Sequence, residues 1–284
     1  AGSAAGAAGT AGGGAGGANP ALARGEYLVK AVLNCGGCHT PTGGAFLSGR
    51  DCFAGSTAGP DCLSSANLTN DATGLKNLTD QQIKDAFTTG KDPDQAGAYL
   101  FSNMPYYQFA TLSTDDANAI VAYLRTVPAV AHQVQANAGT YATQPTAPQW
   151  APVSLTDLPA AGTAAGAANG KYLAALTCVT CHTVDAAGAT PQHVDATKAF
   201  QGGKLVAITG GNVQSSNLTP DATGIMGWSA VELASAIKLD RDRNCKSICG
   251  MRGLANLTDS DALDIAAYLM GIPAVSNTIT MRCQ

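Results

Sequence analysis

Large apolar side chains are scarce in this chain. Aromatic residues make up 6% of its 284 positions, whereas glycine alone accounts for 33. A chain so composed has little with which to fill a core and needs apolar surface from another source. Charged residues amount to 13% with a net charge of −4, and no basic stripe is present, which excludes nucleic acid as a partner. No uninterrupted apolar run approaches the roughly 18 residues of a bilayer-spanning helix, so no transmembrane segment is expected. Only four histidines occur, leaving little from which to assemble an acid–base catalytic pair. Runs of alternating apolar and polar residues are also missing, so an all-α fold of short helices and long loops is expected.

Cysteine, by contrast, is plentiful at nine residues. Four of them fall in a five-residue device written twice, Cys35-Gly36-Gly37-Cys38-His39 and Cys178-Val179-Thr180-Cys181-His182. Two residues between the cysteines let both sulfurs face one porphyrin edge, and the histidine that follows lies over the metal. A lone Cys-x-x-Cys also suits a redox disulfide or half of a zinc site, but zinc needs further Cys or His pairs at close spacing, and neither copy has one. The expected cofactors are two covalently bound haem c groups, which would also supply the missing core surface. Of the other cysteines, Cys52 and Cys62 flank a Gly/Pro/Ser segment and are expected to close it as a disulfide. Cys245, Cys249 and Cys283 leave one thiol unpaired, or Cys283 bridging back to one of the other two. Surplus cysteines beside c-type haem suit an oxidising compartment, so a periplasmic or extracellular, exported protein is expected.

The surroundings of the motif repeat as well. Gly25-Glu26-Tyr27-Leu28 matches Gly170-Lys171-Tyr172-Leu173, Asn67-Leu68-Thr69-Asn70-Asp71-Ala72-Thr73-Gly74 matches Asn217-Leu218-Thr219-Pro220-Asp221-Ala222-Thr223-Gly224, and Ala122-Tyr123-Leu124 matches Ala267-Tyr268-Leu269. The chain therefore divides into a Gly/Ala-rich tail (1–18), a first domain (19–131), a Pro/Ala-rich linker (132–166) and a second domain (167–284). Trp150 and Leu155 are candidates to pin the linker to a domain surface. Thr79 with Gln82 and Ser229 with Glu232 are capping-box signatures, and Ser113 and Thr258 open the last helix of each copy. Gly25 and Gly170 permit close approach where first and last helices cross, and Tyr27 with Tyr123, and Tyr172 with Tyr268, are read as marking that crossing over the haem edge.

His39 and His182 are the proximal ligands by position. For the sixth position Met104, in Asn103-Met104-Pro105-Tyr106, is the candidate in the first copy and Met251 in the second. Met226 is the rival in the second copy, while Met270 and Met281 read as packing residues. His132 and His193 lack counterparts and read as solvated loop residues. Asn67 and Asn217 are read either as hydrogen-bonding haem propionates or as holding their loop.

Together these motifs resemble the class I cytochrome c family, and within it the multihaem cytochrome subunits of bacterial alcohol and gluconate dehydrogenases. The resemblance implies two tandem cytochrome c domains of a few helices around each haem. It pairs His39 with Met104 and His182 with Met251 as axial ligands, with Cys35, Cys38, Cys178 and Cys181 as haem attachments. Those subunits commonly carry three haems, whereas this chain has two motifs. The function expected is single-electron transfer between a redox protein donor and acceptor, a dehydrogenase among them, without enzymatic activity of its own. Two alternatives stand beside it: a dihaem redox enzyme of peroxidase or thiosulfate-oxidising type acting at the second haem, and a homopolymeric conductive filament self-associating through the N-terminal tail.

Overall fold

A computed structural model describes residues 19–55, 59–208, 211–244, 247–248 and 254–281. Met251, Cys245, Cys249, Cys283 and the Gly/Ala-rich tail, all singled out from the sequence, lie outside the described residues.

The first domain opens with α1 (Pro20–Tyr27), capped by Asn19 with proline at its start, which runs on through a π-helical turn at Leu28–Val32. The short helix α2 (Gly36–His39) follows. A hairpin of β1 (Arg50–Gly55) and β2 (Cys62–Ser65) comes next, closed by a Cys52–Cys62 disulfide. Then come α3 (Asp80–Thr89), with the expected Thr79/Gln82 capping box, the single-turn α4 (Tyr106–Phe109), and α5 (Thr114–Leu124), capped by Ser113. The second domain repeats the plan with α6 (Ala167–Thr177), α7 (Val179–His182), a hairpin of β3 (Leu205–Ile208) and β4 (Gly211–Gln214), α8 (Ala230–Leu239) behind the Ser229/Glu232 capping box, and α9 (Asp259–Gly271) capped by Thr258. The molecule is mostly helical, with long loops. The hairpins are an addition to the expected all-α plan: strands of four to six residues are too short for alternation to stand out.

First and last helices cross closely in both domains. A Cβ on Gly25 would lie 2.0 Å from the Ala119 carbonyl oxygen, and one on Gly170 would lie 1.8 Å from that of Asp264. Only hydrogen fits there. A continuous cluster of buried apolar residues runs through both domains, from Leu28, Val32 and Ile120 to Leu173, Ile265 and Leu269.

Of the four tyrosines expected at these crossings, Tyr123 lies there, its Cβ 2.9 Å from where a Gly25 Cβ would stand, whereas Tyr27 and Tyr172 reach into the opposite domain. The Tyr27 hydroxyl donates to Asp261 and accepts the Thr258 backbone N–H, at the start of α9. The Tyr172 hydroxyl donates to Asp116 at 2.8 Å and accepts the Ser113 N–H at 3.1 Å, at the start of α5. Each aspartate also binds its own domain's first helix: Arg24 donates twice to Asp116, at 2.7 and 2.8 Å, and Asn169 donates to Asp261 at 3.0 Å. The contact is reciprocal, and it satisfies backbone donors that a helix start leaves free. Tyr268 is fully buried, donating to the Pro159 carbonyl and meeting Phe200 edge-on.

The linker is tied down on both domains. Ala138 pairs with Cys62, Tyr99 N–H donates to Pro145 and the Val153 N–H to Tyr107, while Trp150 stacks on Tyr107 at 4.6 Å and Leu155 packs against the core. Among the described residues, no helix is long and apolar enough to cross a membrane.

Candidate functional site

Each Cys-x-x-Cys-His sequence forms a single helical turn. In the first, the His39 N–H donates to the Cys35 carbonyl at 2.9 Å and that of Cys38 to the same oxygen at 3.3 Å. In the second, His182 and Cys181 donate to the Cys178 carbonyl at 2.9 and 3.2 Å. Residues three apart on a helical turn share a face, so the two sulfurs of each motif are presented side by side. Cys38, Cys178 and Cys181 are free thiols, and burial pushes the Cys178 thiol up to about 11, so it stays protonated at neutral pH.

Both histidines are clamped from behind. His39 Nδ1 lies 2.8 Å from the Ala66 carbonyl oxygen, and His182 Nδ1 lies 2.9 Å from that of Ser216. A carbonyl only accepts, so Nδ1 carries the proton and Nε2 keeps its lone pair. Burial holds both imidazoles below their ordinary pKa, against the opposing effect of that hydrogen bond, which keeps them neutral. A neutral ring with a fixed tautomer is a metal ligand ready to bind.

The repeated Asn-Leu-Thr loop sets those carbonyls in place. Asn67 is buried; its Nδ2 donates to the Val130 carbonyl at 2.8 Å and to Thr73 Oγ1 at 3.1 Å, while its Oδ1 accepts the Thr69 N–H at 2.9 Å. Asn217 repeats this with Val275 at 2.8 Å, Thr223 at 3.0 Å and Thr219 at 2.9 Å. Of the two readings offered by the sequence, these contacts satisfy the loop-holding one. Each loop is thereby pinned to the segment after the last helix, and the residue immediately before the Asn offers its carbonyl to the histidine. The carbonyls of Ala66 and Ser216 were not anticipated, since a backbone acceptor leaves no side-chain signature.

The donor sets fit covalent haem: paired thiols on one face and an imidazole with a bare Nε2 in each copy. Among the described residues no group of three or more His, Cys, Asp or Glu side chains is arranged to hold a metal ion. Met104 is half-buried against the core, in a turn closed by Tyr106 N–H on its carbonyl at 2.8 Å, just ahead of α4. The rival methionines are turned outward: Met226 is 57% exposed, and Met270 and Met281 are exposed rather than packed as expected. His193 is exposed as expected, whereas His132 is half-buried with Nδ1 2.8 Å from the Ser48 carbonyl, because its backbone N–H is drawn in by Thr73.

The two copies also touch through their site loops. Thr180, inside the second motif, donates from Oγ1 to Gln108 Oε1 at 2.8 Å, and both residues are buried. Gln108 lies on α4, four positions after Met104.

A family model described as cytochrome c matches residues 22–128 and again residues 167–273. Among curated proteins, the chain is similar to the gluconate 2-dehydrogenase cytochrome c subunit of Pantoea cypripedii, at 29% identity over 94% of this chain and 63% of that protein. It is also similar to the fructose dehydrogenase cytochrome subunit of Gluconobacter japonicus, at 30% identity over 58% of this chain and 34% of that one. A diheme cytochrome c-type protein of Cereibacter sphaeroides is 31% identical over 39% of this chain and 37% of its own length. The chain thus spans less than two thirds of the length of each of these relatives.

Proposed function

The chain belongs to the cytochrome c family, with two tandem domains that imply haem c binding, and from that premise we propose that it is a dihaem electron carrier working outside the cytoplasm. In this reading Cys35 and Cys38 hold one haem and Cys178 and Cys181 the other through thioether bonds. His39 and His182 bind the irons through Nε2. Met104 would hold the first iron from the other side through its thioether, and Met251, from its place in the sequence, would do the same for the second. Bound haem supplies a one-electron ferric/ferrous couple, and a thioether ligand favours the reduced state.

The observation that carries the reading is the pair of histidine clamps. His39 and His182 are each held neutral, with Nδ1 tied to a carbonyl, beside two cysteines on one helical turn. The chain's own contribution is then to fix the imidazoles and to hold the two sites against each other through the Tyr27 and Tyr172 contacts. The Cys52–Cys62 disulfide supports an oxidising compartment. The relatives named as dehydrogenase cytochrome subunits support a dehydrogenase as electron donor.

The test is expression with a c-type haem maturation system, followed by a haem-to-protein ratio and a carbon monoxide titration of the reduced protein at neutral pH. Two haems per chain and no carbon monoxide adduct are expected. Fewer than two haems would overturn the dihaem reading. An adduct at either iron would overturn the closed, six-coordinate carrier and favour a redox enzyme.

A further inference from the structure

We infer that Gln108 couples the two redox sites, joining the sixth-ligand loop of the first to the haem-attachment turn of the second and so forming part of the route by which an electron crosses between them. The inference rests on the proposed carrier function.

The argument begins with an asymmetry. Domain docking is accounted for by a contact that occurs twice: Tyr27 on the start of α9 and Tyr172 on the start of α5. The Thr180–Gln108 hydrogen bond has no such mirror image. The position in the first motif that corresponds to Thr180 is Gly37, which has no side chain to offer. This unrepeated bond joins the methionine side of the first site to the cysteine side of the second.

The connection is continuous. The Met104 carbonyl accepts the Tyr106 N–H at 2.8 Å, and the Pro105 carbonyl accepts the Gln108 N–H at 3.0 Å, so the segment from Met104 to Gln108 is internally hydrogen-bonded. The Gln108 side chain then accepts from Thr180 at 2.8 Å, and Thr180 is covalently followed by Cys181 and His182. Both polar groups are buried, where a hydrogen bond is electrostatically stronger than in water and an unmade one is costly. Neither a carboxamide nor a hydroxyl titrates near neutral pH, so the step balances simply. With haem bound, each site would supply a one-electron couple, and Gln108 and Thr180 would join them while neither giving up nor taking a proton.

The experiment uses the full haem-loaded chain. Thr180→Val keeps the shape and removes the hydroxyl, Gln108→Leu removes the acceptor, and Thr180→Ser restores the hydroxyl. For each, the inter-haem transfer rate after pulsed one-electron reduction is measured, together with both midpoint potentials and the thermal midpoint. Thr180→Val and Gln108→Leu are expected to slow the transfer several-fold with potentials that leave the driving force unchanged, and Thr180→Ser to return the parent rate. Parent rates in both Thr180→Val and Gln108→Leu would overturn the inference, as would a slowing that the potentials fully explain. Should Gln108→Leu fail to fold, Thr180→Val and Thr180→Ser decide alone. Absence of inter-haem transfer in the parent chain would instead overturn the carrier reading itself.

Discussion

Replacing Gly170 by alanine sets two physical effects against each other, and they differ in sign. Gly170 sits inside α6 with ordinary helical backbone. Helix propensity alone therefore predicts that Gly170→Ala stabilises the protein by about 1 kcal/mol. The new methyl, however, would stand 1.8 Å from the Asp264 carbonyl oxygen and 2.4 Å from its carbon. Reaching an ordinary contact of 3.4 Å requires a shift of about 1.6 Å between α6 and α9. The obstacle is backbone, which cannot rotate aside, and the two helices carry the fully buried Leu173, Ile265 and Leu269. Overpacking of this kind costs typically 1–3 kcal/mol, and a rigid obstacle belongs at the upper end. After the propensity gain, a net loss of about 2 kcal/mol remains, equivalent to a fall in thermal midpoint of roughly 4–8 °C for a protein of this size. Thermal unfolding of the haem-loaded protein, followed by far-ultraviolet circular dichroism, measures it directly. An unchanged or raised midpoint would refute the crossing geometry. Gly25→Ala, facing the Ala119 oxygen at 2.0 Å, should behave in the same way.

Tyr172→Phe removes a bond to Asp116 and leaves the Ser113 N–H without its acceptor, so a loss of about 1–3 kcal/mol is expected by denaturant titration, with Tyr27→Phe giving a similar value. Burial alone would raise the Asp116 carboxyl, but hydrogen bonds from Arg24 and Tyr172 outweigh it and hold it below its ordinary value. A depressed carboxylate stabilises the fold fully above its unfolded pKa of about 4, and that stability is lost as pH falls through the lower folded value. At the other end, burial pushes Tyr172 up to about 12, so its contribution is complete below about 10 and is lost as pH climbs from there to the folded value. A pH series of melts should accordingly fall at both extremes, and Tyr172→Phe should make the alkaline fall shallower, while Tyr107, Tyr268 and Tyr27, whose hydroxyls are also raised by burial, keep the rest of it. Replacing Cys52 and Cys62 together by serine should cost about 2–3 kcal/mol, read as a midpoint shift that reductant no longer changes. Asn67→Ala leaves the buried Thr69 N–H without its acceptor and takes from the Val130 carbonyl its shorter donor, with Thr69 Oγ1 at 3.3 Å remaining; it should both destabilise the chain and shift the potential of the first haem through the Ala66 clamp on His39.

Local chemistry made much of this legible from residues alone. Thr79 and Ser229 announce helix starts because a side-chain oxygen three residues from a Gln or Glu satisfies end groups within one turn. Cys52 and Cys62 announce a staple because few other uses remain for them. Gly25 and Gly170 mark a crossing since no other residue leaves so little between two backbones. What stayed hidden depends on partners distant along the chain. Tyr27 meets α9 across 231 residues and Tyr172 meets α5 across 59, and a tyrosine beside an apolar helix face carries no mark of which domain it serves. The hairpins, too, are held by register with a neighbouring strand rather than by their own pattern. Thr180 and Gln108 look like ordinary polar residues until the fold buries them against each other.

The crossed tyrosine contacts bear on how the molecule holds together at low concentration. In these tyrosine contacts the first half touches the second as the second touches the first, which is the isologous geometry of a symmetric dimer of identical subunits. Here the 132–166 linker makes that dimer a single molecule. Association that would otherwise depend on dilution becomes intramolecular. Freed from having to match itself, each half could then change alone. Arg24 faces Asp116 where Asn169 faces Asp261, and Gly37 stands where the other half has Thr180.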